Sequence, residues 1–186
     1  MFIPNALTIL RIVLASICLA TLVAAKTSLG YFLWLAVFLV AVLTDYADGR
    51  IARRLKLETN FGKILDPIAD KILALSAFIG LSYRGVFSFW WIVPIAFREI
   101  LVTAVRIRRL NVGEVLPAER AGKIKVAIQF TAIGIAFLVF LVMENHVETR
   151  PFGKFLQSLL TALLVLTNAA TLYSGALFFK NLKPIQ

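Results

Sequence analysis

Four aspartates, Asp45, Asp48, Asp66 and Asp70, stand between strongly apolar runs and are the residues best placed to do chemistry. They belong to the stretch D-Y-A-D-G-R-I-A-R-R-L-K-L-E-T-N-F-G-K-I-L-D-P-I-A-D-K, residues 45–71. On a helix advancing about 100° per residue, Asp45, Asp48, Gly49 and Ala52 share one face, with Arg53 at its edge. Asp66 and Asp70 share a face of the following helix, and Leu55–Phe61 lets the two helices turn back so that the four carboxylates converge. Gly49, Ala52 and Gly62 are small enough for a ligand or a second backbone to come close.

An uncompensated Asp in a membrane span costs about 2.5–3.5 kcal/mol. Four converging carboxylates also repel one another and hold protons unless a cation is bound. One or two divalent ions are the simplest compensation. Oxygen ligation without His or Cys points to Mg2+ or Mn2+, with Ca2+ left open. Two such ions suit phosphoryl chemistry, because they stabilise both the attacking and the leaving oxygen. The opposing reading pairs the aspartates with Arg50, Arg53, Arg54, Lys63 and Lys71 as interfacial salt bridges. Charge inside a membrane is functional far more often than not, which favours the metal site.

The elements that must position this cluster are membrane helices. Hydrophobic residues make up 60% of the 186 residues, and the mean hydropathy is +0.88. A span needs about 20 largely apolar residues, so the chain has room for six spans as one domain, 1–186, with no separate soluble part. The apolar segments are Leu7–Ala25, Tyr31–Arg54, Gly62–Tyr83, Phe87–Leu110, Ala118–Met143 and Phe152–Phe179. In lipid such segments form helices, since every backbone polar group needs an internal partner. The expectation is an all-α integral membrane protein of six transmembrane helices.

Charge placement gives the orientation. The breaks after segments two and four are flanked by Arg50, Arg53, Arg54, Lys56, Lys63, Arg106, Arg108, Arg109, Arg120, Lys123 and Lys125, and Lys180 and Lys183 lie at the C-terminus. The other side has only Lys26, Arg84, Arg150 and Lys154. Both termini and the aspartate cluster therefore face the cytoplasm. The net charge of +10 reflects basic residues meeting anionic lipid, so nucleic acid is not an expected partner. Phe87, Trp90 and Trp91 open segment four as an outer interfacial belt. Cys18 is a packing residue in an apolar run, and the isolated His146 makes no zinc site. The opening M-F-I-P-N-A-L-T-I-L-R lacks a basic signal-peptide start, and with the short chain it points to a bacterial inner membrane.

The spacing Asp45-x2-Asp48-Gly49-x2-Ala52-Arg53-x8-Gly62-x3-Asp66-x3-Asp70 fixes eight residues over 26 positions. It resembles the defining motif of the CDP-alcohol phosphatidyltransferase family, and the six-helix outline and cytoplasmic face extend that resemblance over essentially the whole chain. The resemblance implies that Asp45, Asp48, Asp66 and Asp70 ligate two metal ions, and that Asp70 is also the general base for the acceptor hydroxyl. It implies that Asp48, Gly49, Ala52, Arg53 and Gly62 bind the cytidine diphosphate part of CDP-diacylglycerol, and that the protein is a homodimer. Within the family the acceptors include glycerol 3-phosphate, inositol phosphate, serine and phosphatidylglycerol.

Basic residues bear on the acceptor. Arg98 and Arg106 lie eight apart on segment four, and Lys123 and Lys125 occupy A-G-K-I-K at the start of segment five. Placed beside the metal site, they would hold an acceptor phosphate through charge-assisted hydrogen bonds. A positive-inside loop without substrate contact is the competing reading for Arg108, Arg109 and Arg120. Arg98 resists that reading, since it stands inside an apolar run beside Glu99. The strings I-P-N-A-L-T-I-L-R, F-G-K-I-L-D-P-I-A-D-K, R-E-I and G-K-I-K with Gln129 are similar to those of family members that use glycerol 3-phosphate. That similarity implies that Asn5, Thr8 and Arg11 line the donor side, and that Arg98, Arg106, Lys123 and Lys125 hold the glycerol phosphate. Other acceptors (inositol phosphate or phosphatidylglycerol), a divalent-cation transporter and a non-catalytic scaffold are the alternatives.

Overall fold

A computed structural model of the chain describes the backbone of residues 3–55, 60–114, 120–144 and 151–182, and within it the side chains of 10, 12–44, 68, 71–110, 112–114, 121–144 and 151–182. These residues form six long α-helices and no strand. They are α1 (Ile3–Ala24), α2 (Ser28–Leu55), α3 (Asn60–Tyr83), α4 (Ile92–Asn111), α5 (Arg120–Glu144) and α6 (Pro151–Lys180). Each coincides within a few residues with one of the six apolar segments. The largest shift is at segment four, where Phe89–Trp91 forms a 3-10 turn and the α-helix begins at Ile92. That start places Pro94 in the first turn of α4, where its missing N–H costs no helical hydrogen bond.

The helices fall into two compact units, residues 1–83 and 84–186. In the first, α1 packs along both α2 and α3. Its inner stripe is Ala15, Cys18 and Leu22, all fully buried. The facing stripes are Tyr31, Trp34, Phe38 and Ala41 on α2, and Leu73, Ala77 and Leu81 on α3. Their spacing of three or four residues is the seam of closely packed antiparallel or parallel helices. Trp34 and Phe38 stack with ring centroids 5.4 Å apart, and Cys18 lies against Trp34, the packing role its surroundings indicated. Gly80 lets α3 close on α1, since a Cβ there would stand 2.8 Å from Leu22 Cδ2 and 3.4 Å from Leu19 Cδ1. That contact sets the C-terminal halves of α1 and α3 side by side, so the two helices run parallel while α2 returns between them in sequence.

In the second unit α6 packs along both α4 and α5. Asn168 of α6 donates from Nδ2 to the Trp91 carbonyl at 3.3 Å, and Gly175 lies against Arg98. Both separations in sequence are the same, so α4 and α6 run parallel. Arg84 closes the end where α5 finishes: it donates to Glu144 Oε1 at 2.6 Å and sits 5.0 Å over the Phe140 ring. Arg109 is buried and pairs with Glu114 just past the end of α4. Of the three basic residues for which a bare positive-inside loop was the competing reading, Arg109 thus has a folding role.

Both units are apolar outside as well as inside. Leu29, Phe32 and Leu43 on α2, Phe97 and Ile100 on α4, and Phe155 and Tyr173 on α6 are all exposed. Water would penalise such surfaces, and lipid does not. Hydroxyls on these helices fold back on their own backbone: Thr44 donates to the Val40 carbonyl at 2.7 Å and Thr161 to the Gln157 carbonyl at 2.9 Å. Such back-bonding satisfies them without water. Among the described residues, α5 from Ala121 and α6 are long and apolar enough to cross a membrane, and Ile12–Ala24, Ser28–Thr44 and Lys71–Tyr83 are shorter apolar stretches. The chain is a membrane-associated, all-helical protein.

Glycine has a backbone role at the end of α4. Gly113 adopts φ 81°, and the N–H groups of Gly113 and Glu114 close on the carbonyls of Leu110 and Arg109 at 3.0 and 2.9 Å. This is a left-handed helix stop that favours glycine. Gly134 sits mid-α5 with open space around its Cα. Gly113→Ala should therefore cost about 1 kcal/mol, whereas Gly134→Ala should add about 0.5–1 kcal/mol. Thermal unfolding in detergent should move the two midpoints in opposite directions.

Candidate active site

The first unit positions the aspartate motif through helix register. α1 and α3 begin, and α2 ends, at the same end of the unit. On α2 the buried stripe 31, 34, 38, 41 continues in the same spacing to positions 45, 48 and 52. On α3 the stripe 81, 77, 73 continues back to 70, 66 and 62, and on α1 the stripe 22, 18, 15 continues back to 11 and 8. Ile68, half a turn from positions 66 and 70, is 36% exposed and marks the opposite side of α3. Asp45, Asp48, Ala52, Gly62, Asp66, Asp70, Thr8 and Arg11 thus hold the register positions where the apolar seam gives out. Gly49 and Arg53 follow on α2, and Asn5 lies in the opening turns of α1. The side chains of Asn5, Thr8, Arg11, Asp45, Asp48, Gly49, Ala52, Arg53, Gly62, Asp66 and Asp70 lie outside the described residues, as does their convergence. Among the described residues no group of three or more His, Cys, Asp or Glu side chains gathers.

The second unit carries a buried polar cluster built around Glu99. Its carboxylate is 4% exposed. Glu99 Oε1 accepts from Lys125 Nζ and, more loosely, from Arg98 Nη1 at 3.4 Å. Arg98 and Arg106 both lie within electrostatic range of Lys125. Arg106 also lies 5.7 Å from the centre of the Phe178 ring, and α6 approaches Arg98 through Gly175, where a Cβ would stand 3.1 Å from Arg98 Cγ. Three cations and one carboxylate give these four side chains a formal charge of +2. The matching of α4 and α5 explains the geometry: Glu99 and Arg106 are seven apart on the inner stripe of α4, and Lys125 is the buried residue of the A-G-K-I-K turn.

The structure brings together Arg98, Arg106 and Lys125 of the four basic residues singled out by sequence. Lys123 is not among them: it is exposed, two residues and so more than half a turn from Lys125. Three participants were not assigned a role by sequence reasoning. Glu99 holds two of the cations, Gln129 lies one turn from Lys125 on the same face, and Gly175 makes room for Arg98. The signal for Glu99 was its place beside Arg98 in an apolar run, with a matching Lys in the next segment. Gly175 carried no signal, because its role depends on which helix packs against α4.

Glu99 and Lys125 are each almost fully buried, so removing one partner strands the other. Glu99→Leu should lower stability by about 3–5 kcal/mol. Adding Lys125→Leu should recover part of that loss, a coupling that a double-mutant cycle by thermal unfolding would measure.

The chain is similar to known proteins over most of its length. The family model described as CDP-alcohol phosphatidyltransferase matches residues 1–179, across both units. The CDP-diacylglycerol--glycerol-3-phosphate 3-phosphatidyltransferase of Bacillus subtilis (strain 168) is 35% identical over 152 residues, 76% of this chain and 79% of that one. The protein of the same name from Mycoplasma pneumoniae is 33% identical over 169 residues, 80% of this chain and 74% of that one. A Mycobacterium tuberculosis (strain ATCC 25618 / H37Rv) protein named "Probable phosphatidylglycerophosphate synthase" is 40% identical over 136 residues, 72% of this chain and 65% of that one. With a family model covering nearly its full length and the eight motif residues in register, this chain belongs to the CDP-alcohol phosphatidyltransferase family.

Proposed function

We propose that this protein transfers the phosphatidyl group of CDP-diacylglycerol to sn-glycerol 3-phosphate, giving phosphatidylglycerol phosphate and CMP. The names of the B. subtilis and M. pneumoniae relatives support this acceptor. The observation that carries it is the gathering of Arg98, Arg106 and Lys125 about Glu99, with its formal charge of +2. A phosphate monoester is a dianion near neutral pH, since its second pKa is about 6. It balances that cluster, whereas serine or a phosphodiester acceptor leaves part of the charge unbalanced. In this reading Arg98, Arg106 and Lys125 hold the acceptor phosphate, and Lys123 draws it in from the surface.

The donor belongs to the first unit. The oxygen-only set Asp45, Asp48, Asp66 and Asp70 has the ligand chemistry for two Mg2+ or Mn2+ ions, which these four carboxylates would hold. When bound, the ions neutralise the diphosphate and stabilise the departing CMP. Gly49, Ala52 and Gly62 leave room for the nucleotide, and Arg53, Asn5, Thr8 and Arg11 contact its polar parts. The starts of α1 and α3 bring the positive ends of two helix dipoles to the same place. Asp70 takes the proton from the acceptor hydroxyl as its oxygen bonds to the phosphatidyl phosphorus. The bond from that phosphorus to the CMP oxygen breaks in line.

All six helices serve as spans in this reading. They run 22, 28, 24, 20, 25 and 30 residues, and 20 residues already reach about 30 Å, the thickness of the hydrocarbon layer. Lysine and arginine placement sets the site at the cytoplasmic face of a bacterial inner membrane, with the chain acting as a homodimer.

Release of CMP by detergent-purified protein, supplied with CDP-diacylglycerol, Mg2+ and a panel of acceptors, is the direct test. Release should require both the metal and glycerol 3-phosphate; release with inositol phosphate or phosphatidylglycerol instead would overturn the acceptor. Metal uptake into vesicles without CMP release would favour a transporter. Asp70→Asn should cut turnover by about 10²–10⁴-fold, the usual contribution of a general base, with CDP-diacylglycerol still bound. Arg98→Ala should raise the KM for glycerol 3-phosphate by about 10–100-fold, from the loss of a charge-assisted hydrogen bond. A larger rise in the donor KM would remove Arg98 from the acceptor site.

A further inference from the structure

One donor beside the basic cluster has no protein partner among the described residues. Gln129 is 4% exposed, and its Nε2 is buried without a hydrogen bond. Lys125 and Gln129 are four apart on α5, so they lie on one face about 6 Å apart along the axis. Lys125 on that face reaches Glu99, and Gln129 follows it one turn further along α5. The next buried residues on this side of α5 are Ala132, Ile133 and Ala136, so the polar character stops at Gln129. A second donor of the cluster, Arg98 Nε, is likewise buried without a hydrogen bond.

An unmet buried donor costs about 1–3 kcal/mol, and a Leu or Met at 129 would avoid it. Lipid offers no compensating partner. Such a group is explained when a ligand satisfies it. The cations take a phosphate, whereas a carboxamide can both donate to and accept from a neutral hydroxyl. One helical turn from the phosphate-binding ammonium matches the reach of a short phosphorylated polyol.

We propose that Gln129 is a specificity-determining residue, hydrogen-bonded to the hydroxyl of the acceptor that does not react. The proposal rests on the acceptor reading above. It names the substrate class as a phosphorylated polyol with a hydroxyl between the phosphate ester and the attacking alcohol. Lys125 and the two arginines bind the phosphate, and Gln129 reads the carbon skeleton. An acceptor without the middle hydroxyl leaves the carboxamide unpaired, and sites built this way reject such analogues strongly.

The test compares glycerol 3-phosphate with 3-hydroxypropyl phosphate, which keeps the phosphate and the primary alcohol and lacks the middle hydroxyl. CMP release gives kcat/KM for each, and their ratio is independent of how much of a variant is folded. Wild-type protein should prefer glycerol 3-phosphate by about 10–100-fold, the worth of one satisfied buried hydrogen bond. Gln129→Met, of similar volume and apolar, should bring the ratio close to one, the loss falling on glycerol 3-phosphate. Gln129→Asn, shorter by a methylene, should do the same should the Met variant fail to fold. A ratio unchanged in both variants, or an equal loss on both substrates, would overturn the role of Gln129. Wild-type protein that releases CMP with neither compound would overturn the acceptor reading, and the proposal with it.

Discussion

Lipid gives a charged side chain nowhere to go except the inner stripe of a helix, and that constraint shapes both units. A stripe in which buried positions recur at intervals of three or four holds α1, α2 and α3 together through Ala15, Cys18, Leu22, Trp34, Phe38, Leu73 and Ala77. The same spacing, carried a few turns further, arrives at Asp45, Asp48, Asp66 and Asp70. Packing register and chemical register are therefore one property. A change that rotated α2 to improve its apolar seam would rotate the aspartate positions with it. Small residues (Ala15, Ala77, Gly80) bring the helices close where the seam is apolar, and Gly49, Ala52 and Gly62 continue that smallness where it turns polar.

Charge stoichiometry plays the corresponding part in the second unit. A buried pair of Glu99 and Lys125 alone would be a neutral staple of modest net value. Arg98 and Arg106 add two further cations beside that pair, which in the proposed reading makes it a place for an acceptor phosphate. Glu99 keeps that surplus tolerable and fixes two of the cations in place. Removing Glu99 would leave three cations to repel one another, and more carboxylates among them would leave little for an anion to neutralise.

Much of this was legible in sequence, for physical reasons that differ from residue to residue. Helix existence followed from apolar length, and six segments became six helices with ends shifted by a few residues. The start of α4 was misplaced because hydropathy is blind to Pro94, which requires its helix to begin just before it. The aspartate spacing was legible because helix geometry is local, and the register of α2 and α3 can be counted without knowing what packs against them. The basic pocket was only half legible. Periodicity on α4 put Arg98 and Arg106 together, whereas Lys123 and Lys125 look like a pair in sequence although residues two apart face different ways on a helix. Which of the two turns inward depends on the packing of α5 against α6, a long-range fact. Glu99, the centre of the cluster, was visible only as a neighbour of Arg98 until Lys125 was brought to it from 26 residues away.

The surplus charge and the unmet donors of the second unit are two signs of one condition. Arg98 Nε and Gln129 Nε2 are buried donors without acceptors, and the cluster around them is positive. Both deficits beside Lys125 are therefore of the same kind: the protein has provided hydrogen-bond donors and positive charge, and lacks lone pairs and negative charge. In the proposed reading, buried donors and positive charge beside Lys125 complement the oxygens and negative charge of a phosphate ester. The cost of keeping those groups unpaired in the folded chain is the same free energy that the ligand recovers on binding.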